Sequence, residues 1–351
     1  MALINRMFLY IRAELDTNEY RSPIAPMDIG LLSLTGFTVY VESSKTRVFS
    51  DAKYTRAGAI VTKKPWYDND FKDALILGIK KAPCLEMLSR HKHMYFSHSY
   101  KGQKDSEIIL NSFLKTNSCI YDFEYVMDES FKRILYFGTY AGITGAALGI
   151  FQYSLQKQER KDISNVTPWS SYDTMLYELK KLQTPSDILI GIIGASGRCG
   201  LGVQTMLGRL GIMYTKLDKE AMKTEDLTKY DILYNCILLD ESYSQVWFDS
   251  KTVCKKPILI VDISCDYSKP NNPIPIYTEA TTWIQPVFHY NHMISIIAIE
   301  NLPSLLPKES SDYFSSQLLT LLLDFEKDSR GIWKRSLDIF HQTAGVKIGP
   351  A

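Results

Sequence analysis

Residues 187–202 read DILIGIIGASGRCGLG, and how they are read decides the fold. Positions 188–193 are an apolar run without a charge, the pattern of a strand buried in a parallel sheet. Glycines follow at 194, 197, 200 and 202, and no proline blocks a helix after them. A strand that passes through a tight glycine turn into a helix N-terminus aims backbone N–H groups and the helix dipole at a pyrophosphate. The spacing is G-x-x-G-x-x-G rather than G-x-G-x-x-G, so the weight rests on context. A second strand over 212–217 ends at Asp218, where a carboxylate would meet the ribose hydroxyls of a dinucleotide. The competing reading is an ordinary strand–turn–helix whose glycines serve close packing.

The same block continues with strands at 231–235, 258–262 and 295–299. An earlier α/β block carries strands at 7–11, 38–41, 59–61, 75–79, 94–96 and 119–122. One helix begins at Pro26, a favoured first-turn proline, and stops before Gly36. A small-residue helix covers 140–156, the polar stretch 157–168 reads as a linker or surface loop, and another helix covers 172–182. The segments 310–323 and 331–342 read as helices that pack back onto the first block. Strands alternating with helices imply an α/β protein of two Rossmann-like, doubly wound parallel-sheet domains with an interdomain active-site cleft. The expected domains are 1–137 plus 303–351 for substrate and 138–302 for the dinucleotide.

At 351 residues the chain exceeds the size at which a single core stops growing, which also favours two domains. A hydrophobic content of 45% beside 23% charged residues describes a soluble globular protein. A net charge of +1, with no basic run, gives no reason to expect nucleic acid. Arg6 and Arg12 bracket a short apolar strand, which is not the pattern of a cleavable signal. The uncharged run 134–151 reaches the length of a membrane span. Its glycines at 138, 142, 145 and 149 point instead to a buried, closely packed helix. Six cysteines without a C-x-x-C pair, and six scattered histidines, predict no metal site and a reducing, cytoplasmic setting.

Chemistry is sought where parallel strands end, because ligand-facing loops gather there. Arg21, in NEYRSPIAP after the first strand, suits either a bidentate grip on a carboxylate or a surface salt bridge. Lys80 ends ALILGIK and is either a base with a lowered pKa in a cleft or a solvated strand-end lysine. His98 in MYFSHSYKGQ follows a third strand end. None of the three carries the case alone; their convergence on one sheet edge does. Gln103, Glu124 in YDFEYV and Arg133 in FKRILYFG fall in the same zone. In the second block, Asp262 and Ser264–Asp266 in VDISCD follow a strand end as well. Cys199 and Cys236 follow two strands near the nucleotide crevice, close enough to approach one another, with thiols the default in a reducing compartment.

With these residues on the page, the chain resembles the NAD-dependent, lysine-forming saccharopine dehydrogenases, relatives of the alanine dehydrogenase and transhydrogenase fold. The likeness runs over nearly the whole chain, through IRAE, EYRSPIAP, GFTVYVE, AGAIV, ILGIK, FSHSYKGQ, YDFEY, FGTYAGITGAALG, IIGASGRCGLG, NPIPIYTEAT and LPSLLP. FGTYAG and the last two are specific to that family rather than to dinucleotide binders at large. The resemblance implies reversible oxidative cleavage of saccharopine to lysine and 2-oxoglutarate with NAD as cofactor, the last step of aminoadipate-route lysine biosynthesis. A monomer is expected, with these small molecules as its partners and neither nucleic acid nor membrane.

Residue by residue, the resemblance makes Lys80 the proton-accepting lysine, His98 the acid–base histidine and Glu124 a charge-balancing carboxylate. Arg21, Gln103, Arg133 and Phe137 resemble substrate-binding positions, and Ser264, Cys265 and Asp266 would border the substrate. Gly194, Gly197, Arg198, Asp218, Lys132, Ile263 and the run Ile299, Glu300, Asn301 and Leu302 resemble positions at the cofactor. Cys199 and Cys236 resemble a pair that can be disulfide-linked in this family. Lys81, Glu300, Lys132, Met222 and Leu238 depart from the family pattern, which bears on cofactor affinity and pH profile more than on reaction class. Two other readings stand beside this one: a related opine or imino-acid dehydrogenase, and an NAD-binding pseudoenzyme. Arg21, Arg133 and Gln103 favour a polycarboxylate substrate over the first, and a sensor needs no set such as Lys80, His98 and Glu124.

Overall fold

The computed structural model describes residues 7–345 apart from 104, 183, 186, 240 and 241. Arg6 lies outside the described residues. The chain divides into two compact units, Met1–Tyr136 with Pro307–Ala351, and Phe137–Leu306.

The first unit runs β1 (Met7–Ile11), α1 (Pro26–Leu34), β2 (Phe37–Glu42), α2 (Asp51–Arg56), β3 (Ile60–Thr62), β4 (Leu75–Leu77), β5 (Lys92–Tyr95), α3 (Ser106–Lys115) and β6 (Cys119–Asp122). All pairs are parallel, in the order β3-β2-β1-β4-β5-β6. The chain builds outward on one side of β1 and then on the other, so the winding reverses between β1 and β4. In such sheets ligands collect at the carboxyl ends beside the reversal. Register sets Ile11 beside Leu77, Leu77 beside Met94 and Met94 beside Tyr121. The residues that follow β1, β4, β5 and β6 therefore share one edge. The core joins Tyr10, Ile76, Tyr95 and Ile120 of these strands to Phe71, Phe113 and Phe340.

The second unit runs α4 (Gly138–Lys157), α5 (Tyr172–Lys181), β7 (Ile190–Ile193), α6 (Arg198–Leu210), β8 (Thr215–Leu217), β9 (Ile232–Asn235), β10 (Ile258–Asp262), β11 (Phe288–His289) and β12 (Ile294–Ile297). Its sheet order is β11-β12-β10-β9-β7-β8, with the reversal between β7 and β9. β7, β9, β10 and β12 are buried throughout, which is why they read as apolar runs rather than alternations. α7 (Pro307–Leu322) and α8 (Ile332–Thr343) return to the first unit.

Two departures from expectation have local causes. The short β11 pairs antiparallel with β12, on a sheet that is otherwise parallel. Asn291 closes this hairpin, its Oδ1 accepting the N–H groups of Met293 and Ile294 at 2.8 Å each. β8 begins at Thr215 rather than 212, because Gly211 caps α6 in the left-handed region at φ 70 and Ile212 still donates to Leu207 at 3.0 Å. The uncharged run is the largely buried α4, and no described helix is long and apolar enough to cross a membrane. Its glycines let backbones touch: a Cβ on Gly142 would collide with the Cys199 carbonyl oxygen, and one on Gly202 with that of Thr139.

Candidate active site

In the first unit, the loop after β1 turns through Glu19 and Arg21, both buried. Arg21 donates from Nε and Nη2 to the two carboxylate oxygens of Glu19, at 2.7 and 2.6 Å. The loop is pinned from α7, where Ser311 Oγ and Ser315 Oγ, one turn apart, accept the N–H groups of Ser22 and Ala25 at 2.9 and 2.7 Å. Lys80 stands half-buried three residues past the end of β4. Its neighbour Lys81 turns away at φ 56 and pairs with Asp16 at 3.2 Å.

His98 follows β5, exposed and in the left-handed region at φ 49, between buried Ser97 and Ser99. Asp122, at the end of β6, ties this turn to Glu124. It accepts from Ser97 Oγ at 2.5 Å, from Ser97 N–H at 3.3 Å and from Glu124 N–H at 2.8 Å. The two serine hydroxyls are themselves 2.7 Å apart. Burial pushes the Asp122 carboxyl up to about 6 despite these donors. Glu124 receives Arg133 Nη1 at 3.3 Å and Lys101 Nζ at 3.4 Å. Burial pushes its carboxyl up, but Arg133, Lys101 and His98 together outweigh it and hold Glu124 below its ordinary range. Arg133 also lies over the Phe96 ring at 5.2 Å and donates to the Leu135 carbonyl at 2.8 Å. Gln103 is half-buried, with Oε1 accepting Lys101 N–H at 2.7 Å. Lys132 is exposed in the turn that Asp128 closes.

The second unit gathers its candidates at the ends of β7, β8, β9, β10 and β12. Gly194 turns at φ +76, where a side chain would be strained, and a Cβ there would press on the Cys236 carbonyl at 2.9 Å. Gly197 is the N-cap of α6, whose exposed first residue is Arg198. Gly200 and Gly202 instead permit close packing, on the turn and on α4 respectively, so the competing reading explains half of the fingerprint. Asp218 follows β8, its Oδ1 accepting the N–H groups of Glu220 and Ala221 at 3.1 and 2.8 Å. Cys199 and Cys236 are thiols, and burial, with Cys199 adding to it, pushes the Cys236 thiol well up.

Beyond β10, buried Asp262 organises the turn. It accepts Asn235 Nδ2 at 2.9 Å, Tyr277 Oη at 2.5 Å, and the N–H groups of Ser264 and Cys265 at 3.1 Å each. Ser264 Oγ donates to the Ile237 carbonyl at 2.6 Å, and Asp266 pairs with Lys269 at 2.8 Å. Ile263 packs on α4, where a Cβ on Gly145 would come within 2.8 Å of it. Ile299 is buried past β12, and Glu300 accepts Tyr267 Oη at 3.0 Å. Asn301 accepts Trp283 Nε1 at 2.7 Å and the Leu302 carbonyl accepts Thr144 Oγ1 at 3.0 Å. Phe137 is the buried N-cap residue of α4.

The sequence reading missed Arg12, Glu14, Glu19 and Asp122. All four lie in motifs it quoted or beside residues it chose. Arg12, Glu14 and Asp122 take partners far away in the chain, which spacing does not reveal, whereas Glu19 pairs with Arg21 two residues on.

Saccharopine dehydrogenase (NAD(+), L-lysine-forming) of Yarrowia lipolytica is 32% identical over 97% of this chain and 98% of its own length. That of Candida glabrata is 31% identical over the same shares. The chain belongs to the saccharopine dehydrogenase family. A family profile described as alanine dehydrogenase/PNT, N-terminal domain, matches residues 10–144. An L-alanine dehydrogenase structure superposes with a TM-score of 0.71 at 14% identity, covering 96% of this chain and 99% of its own, a likeness of fold. Of the positions that depart from the family pattern, Lys81 is balanced by Asp16, Glu300 is held by Tyr267, and Leu238 is 89% exposed. Met222 packs half-buried against the core of the second unit.

Proposed function

We propose that this chain catalyses the reversible, NAD-dependent oxidative cleavage of L-saccharopine to L-lysine and 2-oxoglutarate. The observation that carries the reading is the convergence of Lys80, His98, Glu124 and Arg133 on the carboxyl edge of one parallel sheet, in a chain of this family. The Gly194–Gly197 turn, the N-terminus of α6 with Arg198, and Asp218 suit NAD, and Ile263 and residues 299–302 follow β10 and β12 of the same sheet. NAD, when bound, accepts the hydride from the glutaryl α-carbon.

Lys80 takes the proton from the secondary amine of saccharopine, which must be neutral before its α-carbon is oxidised. His98 takes a proton from the water that adds to the resulting imine and returns one to nitrogen as the carbinolamine collapses. Each proton transfer by a positioned group contributes about 10²–10⁴-fold. Glu124 keeps the site near neutrality beside Arg133 and Lys101. Arg133, with a third of its side chain exposed, receives a substrate carboxylate, with Gln103 as a further contact. Arg21, held in place by Glu19, is a further substrate contact on the loop after β1.

The test is absorbance at 340 nm with saccharopine and NAD, repeated for Lys80→Met and His98→Gln. Each variant should lose about two decades of kcat while NAD binding persists. Turnover of another secondary amine in place of saccharopine would overturn the substrate. Wild-type rates in both variants would overturn the mechanism.

A further inference from the structure

Lys80 lies just beyond the strand pairing of β4, where an unsupported backbone would leave its amine poorly placed. The segment from Arg12 to Asp16 supplies the support. Alternate residues of this stretch reach the same three residues of the Lys80 turn. Glu14 accepts the Ile79 N–H on Oε1 at 2.7 Å and the Lys80 N–H on Oε2 at 3.1 Å. Arg12 Nη2 donates to the Lys80 carbonyl at 2.6 Å and to the Lys81 carbonyl at 2.8 Å. Asp16 holds the Lys81 ammonium at 3.2 Å. Both backbone polar groups of Lys80 are therefore held from across the winding reversal between β1 and β4.

The clamp is buried and internally balanced. Arg12 and Glu14 side chains are 2% and 5% exposed, with Arg12 Nη1 3.7 Å from Glu14 Oε1. Gly78 makes room for it: a Cβ there would collide with the Arg12 guanidinium. That is the physical reason for a glycine in ILGIK. Neighbouring N–H groups hold the far side, with Gly78 donating to Met94 and Phe96 to Ile79, each at 3.0 Å.

We propose that Arg12 and Glu14 are positioning residues that fix the Lys80 amine for proton transfer, with Gly78 admitting the guanidinium. This rests on the reading of Lys80 as the base. A displacement of about 1 Å can cost on the order of 10²-fold in rate, so holding both backbone groups of one lysine matters to turnover.

The experiment compares Glu14→Gln, Arg12→Lys and Gly78→Ala with the wild type and with Lys80→Met. Gln at 14 turns an amide donor toward one of two N–H groups, Lys at 12 loses the forked donation, and Ala at 78 displaces the guanidinium from the other strand. All three should lower kcat about 10- to 100-fold and shift the base limb of the pH profile, while the NAD dissociation constant stays within about twofold. Wild-type kcat with an unshifted limb in folded variants overturns the proposal. Equal losses of turnover and NAD binding overturn it too, by showing a general structural role. Hydrogen exchange on the wild-type protein tests the clamp even where a variant fails to fold. The Ile79 and Lys80 amides should be as protected as those of β4, and rapid exchange overturns the clamp. If Lys80→Met keeps wild-type turnover, it is the reading of Lys80 that fails, whatever the clamp variants do.

Discussion

Asp122 shows how one buried carboxylate can organise a candidate site. It binds the turn that carries His98 and the N–H of Glu124 at once. With its pKa raised from 3.8 to about 6 by burial, the folded state holds that proton more tightly than the unfolded chain. Its stabilising protonation is complete below about pH 4 and is lost as pH rises through 6, a swing of about 3 kcal/mol. Urea unfolding of Asp122→Asn across pH 4–7 should lack that component, so the stability difference between variant and wild type should change by about that amount. Parallel curves would show that Asp122 does not titrate in this window. The two arginines should behave differently from one another. Arg133→Ala removes a charge-assisted bond worth about 1.5–3 kcal/mol, raising the apparent KM for saccharopine by about one to two decades with little loss of stability. Arg21 and Glu19 are 3% and 1% exposed, so Arg21→Ala strands a buried carboxylate. That should cost about 3–5 kcal/mol of stability, read as a large fall in Tm before any kinetic effect is measured.

Glycines do opposite things in different helices, and neighbouring atoms decide which. In α4, Gly142 sits against the backbone of α6, where an added methyl group meets the Cys199 carbonyl. Gly142→Ala should destabilise by about 1–3 kcal/mol or more through overpacking. In α1, Gly30 is exposed and a Cβ there meets nothing within 4 Å. Gly30→Ala should therefore stabilise by about 0.5–1 kcal/mol, because alanine loses less backbone entropy on entering a helix. A thermal melt reads both, and two shifts of the same sign would refute the packing argument. Elements with a continuous local signal were legible in the sequence. β1, β6 and β10 occupy 7–11, 119–122 and 258–262 as their apolar runs implied, and α1 starts at its proline. β11 was not legible, because two residues of hairpin carry no periodicity and depend on the turn at Asn291.

The molecule divides its candidate chemistry between two sheets, each with a reversal of winding and each with its residues at the carboxyl edge. A crossed pair of variants tests that division. Asp218→Ala should lower the preference for NAD over NADP, since the carboxylate that disfavours a 2′-phosphate is gone, with the KM for saccharopine unchanged within about twofold. Arg133→Ala should do the reverse. If either variant moves both constants alike, the assignment to separate units is wrong. The sequence by itself determined most of the strands of both sheets, where the glycine turn lies, and that Lys80, His98 and Glu124 follow strand ends. Those properties are written in neighbouring residues: apolar runs, glycine spacing and a proline at a helix start. Only the tertiary structure decided that Arg12 and Glu14 hold Lys80, that Asp122 joins His98 to Glu124, and that Gly202 serves packing rather than phosphate. A buried charge takes its partner from whichever strand or helix is packed beside it, and strand order and register are set by burial across the whole unit.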